Sequence, residues 1–157
     1  MPNWCDNTVR IEGPVDKIYD LAVAVEAEKM LQYMVPLSDN EWSYEGACEN
    51  WGTKWDVSEV VMQHEVSDGI IEASFQSAWS PPTEAFRTYL LDNPDVDIHH
   101  VYYEGGNDFC GVNGEERHEL PLSTSDEWTT DPVLAEVDEV MGLREQLAYY
   151  EDEEDEQ

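Results

Sequence analysis

Ile71-Glu72-Ala73-Ser74-Phe75-Gln76-Ser77-Ala78-Trp79-Ser80-Pro81-Pro82-Thr83 is the stretch whose pattern decides the fold. Ile71, Ala73, Phe75, Ser77 and Trp79 fall on one side of an extended chain, and Glu72, Ser74 and Gln76 fall on the other. That period of two marks a half-buried strand. Ser80 to Thr83 halts the strand and starts a helix, with Ser80 or Thr83 as N-cap and Phe86, Tyr89 and Leu90 as packing residues. Just upstream, Asp68-Gly69 supplies a hairpin turn, since Gly tolerates positive φ and Asp bonds locally. The partner strand of that hairpin is the β-branched stretch 57–66.

Working outward, residues 7–12 alternate, with Val9 and Ile11 opposed to Thr8, Arg10 and Glu12, and predict an earlier strand. Gly13-Pro14 breaks it and opens a helix in which Ile18, Leu21, Ala22 and Val25 form one apolar stripe. The helix is expected to end between 28 and 31, and residues 32–46 read as a long polar connection. Downstream, Asn93-Pro94 stops the second helix, residues 96–104 read as a fourth strand, and 108–112 with 115–120 read as an added hairpin. The order β-α-β-β-α-β predicts an α+β protein, a ferredoxin-like sandwich with an extra hairpin over residues 1–120 and one sheet face left open.

Residues 121–130 read as a polar linker. Asp131-Pro132 is a sound start for an amphipathic acidic helix over 131–150, with Val133, Leu134, Val137, Val140, Met141 and Leu147 as its apolar face and Arg144 interrupting it. Residues 151–157 are expected to be a disordered acidic tail, because negative charge at a helix's negative end frays it. The helix would pack on the open sheet face, pair with a second copy in a homodimer, or engage a partner.

The net charge of −30 over 157 residues excludes several function classes. Residues 1–114 hold 21 acidic and 5 basic side chains, and residues 115–157 hold 16 and 2. A field of that sign repels nucleic-acid phosphates and anionic lipid but attracts basic protein surfaces. A solubility device, an inert tail and adaptation to high salt are the competing readings of the same charge. No apolar run approaches the roughly 18 to 20 residues that span a bilayer. The first residues lack the pattern of a secretory signal, so a cytoplasmic protein is expected. Cys5, Cys48 and Cys110 are odd in number and widely spaced, which points to reduced thiols and away from disulfides or a zinc ribbon.

Asn50-Trp51-Gly52-Thr53-Lys54-Trp55-Asp56 and Ala78-Trp79-Ser80-Pro81-Pro82 concentrate three of the six tryptophans. Trp4, Asn50, Trp51, Lys54, Trp55, Asp56 and Trp79 therefore form a candidate pocket, with Lys54 as cationic centre for an anionic or nucleotide-like ligand. The alternative is a lock in which Trp4, Trp51, Trp55 and Trp79 close one end of the sandwich, and Asn50 and Asp56 satisfy their indole N–H groups.

Those two motifs, together with Met1-Pro2-Asn3-Trp4-Cys5-Asp6-Asn7 and Tyr102-Tyr103-Glu104-Gly105-Gly106 with Phe109 and Gly111, resemble the YubB-like family with a ferredoxin-like domain. The resemblance covers residues 1 to about 115. It implies a gene of a bacteriophage or conjugative plasmid expressed in a bacterial host, and it implies no reaction. Gly105 stands where the family often has Pro. Residues from about 120 onward lie outside the resemblance.

Catalytic patterns are weak. His99 and His100 are adjacent on a strand and point to opposite faces, His64 and His118 have no informative spacing, and there is no phosphate loop or nucleophile elbow. No cofactor or metal is implied. The reading is a non-enzymatic acidic protein that inhibits a basic nucleic-acid-binding or defence protein of the host, its carboxylates imitating DNA phosphates. The partner-binding residues would be Asp126, Glu127, Asp131, Glu136, Asp138, Glu139, Glu145, Glu151, Asp152, Glu153 and Glu154. The alternative is a small-ligand or nucleotide-binding module built on the tryptophans.

Overall fold

The computed structural model describes residues 2–62 and 68–155, with side chains through Glu153. The strands β1 (Trp4–Glu12), β2 (Ser58–Met62), β3 (Ile70–Ala78), β4 (Asp97–Glu104), β5 (Phe109–Val112) and β6 (Glu115–His118) form one antiparallel sheet in the order β2-β3-β1-β4-β5-β6. Residues 63–66 of the expected second strand, His64 among them, lie outside the described residues.

The alternation read from the sequence sorts the sheet's two faces. Val9 and Ile11 of β1 join Ile71, Ala73 and Phe75 of β3 and Ile98 of β4 in one core. The α-helices α1 (Val15–Glu26), α2 (Met30–Met34), α3 (Tyr44–Trp51) and α4 (Thr83–Asp92) supply its other wall through Ile18, Leu21, Met30, Leu31, Trp51 and Phe86. The stripe of α1 is buried as its spacing predicts.

Residues 32–46, expected as a polar connection, instead hold the end of α2, a 3-10 turn and the start of α3. Local polar groups make these short helices possible. The Asp56 carboxylate accepts the N–H groups of Leu31 and Gln32 at 2.9 and 3.0 Å and so caps α2 from a distance in sequence. Ser43 Oγ accepts from Gly46 N–H to start α3. Gly52, left-handed at φ 83°, ends it.

Two expectations at the end of β3 are corrected. The alternation stops at Ala78: Trp79 adopts a left-handed backbone (φ 71°), costly for a bulky residue, and swings out to 44% exposure. Neither Ser80 nor Thr83 caps α4, whose N-cap position is Pro82 with no side-chain bond. Ser80 Oγ donates instead to Gly52 O.

The second sheet face is covered on one half. Helices α5 (Glu127–Thr130), α6 (Pro132–Met141) and α7 (Leu143–Asp155) follow the sheet, and α6 packs across β4, β5 and β6. Val101, Cys110 and Val112 meet Trp128, Val133, Leu134, Val137 and Leu143 in a separate core. The expected linker 121–130 is therefore part of the body. Trp128 is 1% exposed and its Nε1–H donates to Leu122 O at 3.0 Å. Asp131 caps α6 as expected, accepting from Val133 and Leu134 N–H, with Pro132 in the first turn.

The single helix expected over 131–150 is two, because Gly142 is left-handed at φ 62° and lets Leu143 turn back into the core. The expected disordered tail is helical through Asp155, and Glu151 anchors it by accepting from Ser123 N–H and Oγ–H at 3.1 and 2.6 Å. Residues 156–157 lie outside the described ones.

Candidate functional site

The bare half of the second face is open to bind something. On it β1 presents Asp6, Thr8 and Arg10, and β3 presents Glu72, Ser74 and Gln76, in register across the pair. A groove of about 580 Å³ lies between these polar rows and the terminal helices. Asp6, Thr8, Ser74 and Gln76 form its floor, Glu59 stands on one side, and Tyr103, Val140, Met141 and Gln146 form the other. Val140, expected inside the apolar stripe of the helix, is an exposed residue of that wall.

Glu59 reaches the groove through an irregularity. The pairing of β2 with β3 shifts register between Ser58 and Val61, and Glu59 within the bulge is left-handed at φ 51°. A bulge of this kind re-aims a side chain at a local backbone cost. The carboxylates of Asp6 and Glu59 have no ion pair among the described residues, and Asp6 accepts only from Gln76 Nε2–H, at 3.3 Å.

Apart from Arg10, the chain's cations are not on this half of the face. Arg10 binds Glu12 and Glu72, Lys17 binds Asp95, Arg87 binds Glu84, and Arg117 binds Glu115 and Asp131. Arg144 Nε–H donates to Ser123 O at 2.6 Å. Lys54 lies 4.4 Å from the centre of the Trp55 ring. The negative field therefore persists around the groove.

The acidic residues expected to bind a partner divide into two groups. Asp131 caps α6 and pairs with Arg117 at 2.8 Å, which holds its carboxyl below the usual range. Glu136 binds His99 of β4 on the face that α6 covers, Asp138 accepts from Arg144 N–H, and Glu151 is held below its usual range by the Ser123 hydroxyl. These four are committed to the fold. Asp126, Glu127, Glu139, Glu145, Asp152 and Glu153 are exposed. Glu145 lies beside Met141, Gln146, Tyr149 and Tyr150 in a depression next to the groove. The side chain of Glu154 lies outside those described.

The tryptophan residues divide between core and surface and do not line one cavity. Trp51 is 3% exposed and donates to Val35 O at 2.8 Å. Asp56, far from accepting an indole N–H, caps α2 and also accepts from Val57 N–H; burial raises its pKa despite these donors. Asn50 Nδ2–H donates to Gly46 O. The surface members are Trp4, Lys54, Trp55 and Trp79, and Trp4 and Trp55 lie 6.2 Å apart. Trp42, which the sequence reading passed over, donates to Lys54 O at 2.8 Å and extends this ridge. The motif's link to β3 runs through Thr53 Oγ1–H to Ala78 O, at 2.7 Å, and through Ser80.

His99 and His100 do point to opposite faces, the first toward Glu136 and the second into the main core. Burial pushes the thiols of Cys5 and Cys110 up, the latter to about 12, so they are not poised as nucleophiles. Among the described residues no group of three His, Cys, Asp or Glu side chains is placed to hold a metal ion, and no helix is long and apolar enough to cross a membrane. The groove residues carried a partial signal: the alternation placed Glu72, Ser74 and Gln76 on one face, but nothing local gave the register against Asp6 and Thr8.

No protein-family model, curated protein or solved structure matches this chain.

Proposed function

We propose that this is a binding protein that presents an acidic groove to a basic partner. The observation that carries the reading is the groove on the bare half-sheet, where Asp6 and Glu59 stand without cationic partners among the described residues, the one arginine there, Arg10, being paired with Glu12 and Glu72. Exposed Glu145, in the depression next to the groove, extends the same charge along the rim. A basic segment laid there would exchange water for carboxylates and rest its aliphatic stems on Tyr103, Val140 and Met141. In this reading the carboxylates stand where DNA phosphates would, and the partner is a nucleic-acid-binding or defence protein in the cytoplasm of a bacterial host. The strand order β2-β3-β1-β4, with α1 and α4 as crossovers, supports taking residues 1–104 as ferredoxin-like, and the YubB-like resemblance is kept as part of this reading on its sequence motifs alone.

An arginine-rich peptide, titrated by calorimetry at low and physiological salt, tests the site. Binding should weaken with salt, and Asp6→Asn with Glu59→Gln should weaken it by about tenfold, two partly screened charge contacts being lost. Asp152→Asn with Glu153→Gln should matter less. Salt-independent binding, or a loss confined to the tail variant, would sink this reading. Displacement of duplex DNA from a basic DNA-binding protein tests the mimicry directly.

A further inference from the structure

On the opposite face of the sheet, a cavity of about 230 Å³ opens between α4 and the turn that joins β5 to β6. Phe86, Leu90 and Ile98 supply most of its wall, with Thr83, His100 and Asn113 as the polar lining. We propose that this cavity binds a small uncharged ring compound carrying one hydroxyl or N–H donor, which His100 accepts.

The hydrogen bonds around His100 set what it offers. Asn7 Nδ2 donates to Cys5 O at 3.0 Å and to Ser77 Oγ at 2.9 Å, so its carboxamide oxygen is the atom turned toward His100. That oxygen lies 2.7 Å from Nε2, which therefore carries the proton. Nδ1 is left as an acceptor with no partner among the described residues, on a side chain only 3% exposed. Burial keeps the imidazole neutral, with a pKa of about 3, so Nδ1 stays an acceptor at neutral pH while Nε2–H donates to Asn7.

The remaining groups exclude charged ligands. Asn113 is already engaged: its Oδ1 accepts from His100 N–H at 2.8 Å, and its Nδ2 faces His99 Nδ1 at 3.3 Å. Arg87, at the mouth, is bound to Glu84. Among the described residues no other cation lines the cavity to hold an anion, and the apolar walls desolvate either sign. Size sets the scale: an apolar cavity of about 150 Å³ admits benzene, so this one takes a ring with a substituent. A water molecule would meet His100 Nδ1, the Thr83 hydroxyl and otherwise apolar walls, fewer partners than the roughly three that hold a typical buried water.

Phenol and anisole, which differ in the donor, are the probes. Calorimetry of the full chain should show saturable phenol binding, with anisole about three- to tenfold weaker for want of one neutral hydrogen bond. Phenol should also move the His100 Nδ1 resonance in nitrogen-15 NMR. Leu90→Trp, which fills the cavity from a half-buried position, should abolish binding while circular dichroism and urea unfolding stay those of a folded protein. No saturable binding, equal affinities for the two probes, or unchanged phenol binding in Leu90→Trp would overturn the proposal. Because the groove lies on the other face, none of these outcomes bears on the basic partner.

Discussion

Acid should weaken this protein through His100 well before most of its carboxylates titrate. The ring is enclosed between Phe86 and Tyr102, with centroids 4.9 and 5.0 Å away, and donates to Asn7 beneath it. Burial first, and the neighbouring His99 second, lower its pKa from 6.5 to about 3. In the unfolded chain the ring takes a proton below pH 6.5, whereas in the fold it stays neutral until about pH 3. The unfolded state thus binds more protons throughout that window. Stability is full above pH 6.5 and is lost as the pH falls toward 3.

At about 1.36 kcal/mol per pKa unit, the first two pH units of the window remove roughly 2 to 3 kcal/mol, and the whole window roughly 4 to 5. Protonating carboxylates relieves the repulsion of 37 acidic side chains and acts in the opposite direction. The informative quantity is therefore the difference between wild type and His100→Gln, which does not titrate. Urea unfolding followed by tryptophan fluorescence between about pH 7 and about pH 4.5 gives both curves. The wild-type value should fall relative to the variant by about 2 to 3 kcal/mol over that range. Curves that stay parallel within about 0.5 kcal/mol would refute a buried neutral His100.

Trp128→Ala should cost about 3 to 5 kcal/mol in urea unfolding and speed amide exchange in α5 to α7, whereas a linker tryptophan would cost almost nothing. Asp56→Ala removes the acceptor of three backbone N–H groups and should cost about 2 to 3 kcal/mol, with Asp56→Asn losing about half of that; values under about 0.5 kcal/mol would contradict the capping role. Trp51→Ala should destabilise by about 3 to 5 kcal/mol, while Trp79→Gly, which relieves a left-handed bulky residue, should leave stability unchanged or raise it by up to about 1 kcal/mol in thermal unfolding.

What was legible in the sequence is what periodicity records. The strands around Val9, Phe75 and Val101, the stripe of α1 and the Asp131-Pro132 start of α6 all follow from the local spacing of apolar and capping residues. What was not legible depends on groups far apart in the chain. Asp56 holds α2 from 25 residues away, so the segment before it looks like a loop until the cap is in place. Trp128 sits among polar neighbours and reads as linker, yet the inner surface of β4 and β5 gives it a core. The groove needed the pairing of β1 with β3 and the bulge at Glu59, and neither leaves a local mark. The tryptophan motif misled in a different way: its composition is unusual, but its backbone and hydroxyl groups do the fastening.

The bulge that turns Glu59 into the groove also alters the outer border of the sheet. An outer strand exposes unpaired N–H and C=O groups, and a flat one invites another chain to add itself as a further strand. Here the described part of β2 is kinked by a left-handed residue, and its register slips by a residue within five positions. At the far border, β6 is four residues long and reads Glu115-Glu116-Arg117-His118. Two copies meeting border to border would have to straighten the first or press the carboxylates of the second together. Both approaches are unfavourable, so the protein can leave half of a sheet uncovered without inviting fibre-like stacking of its own copies.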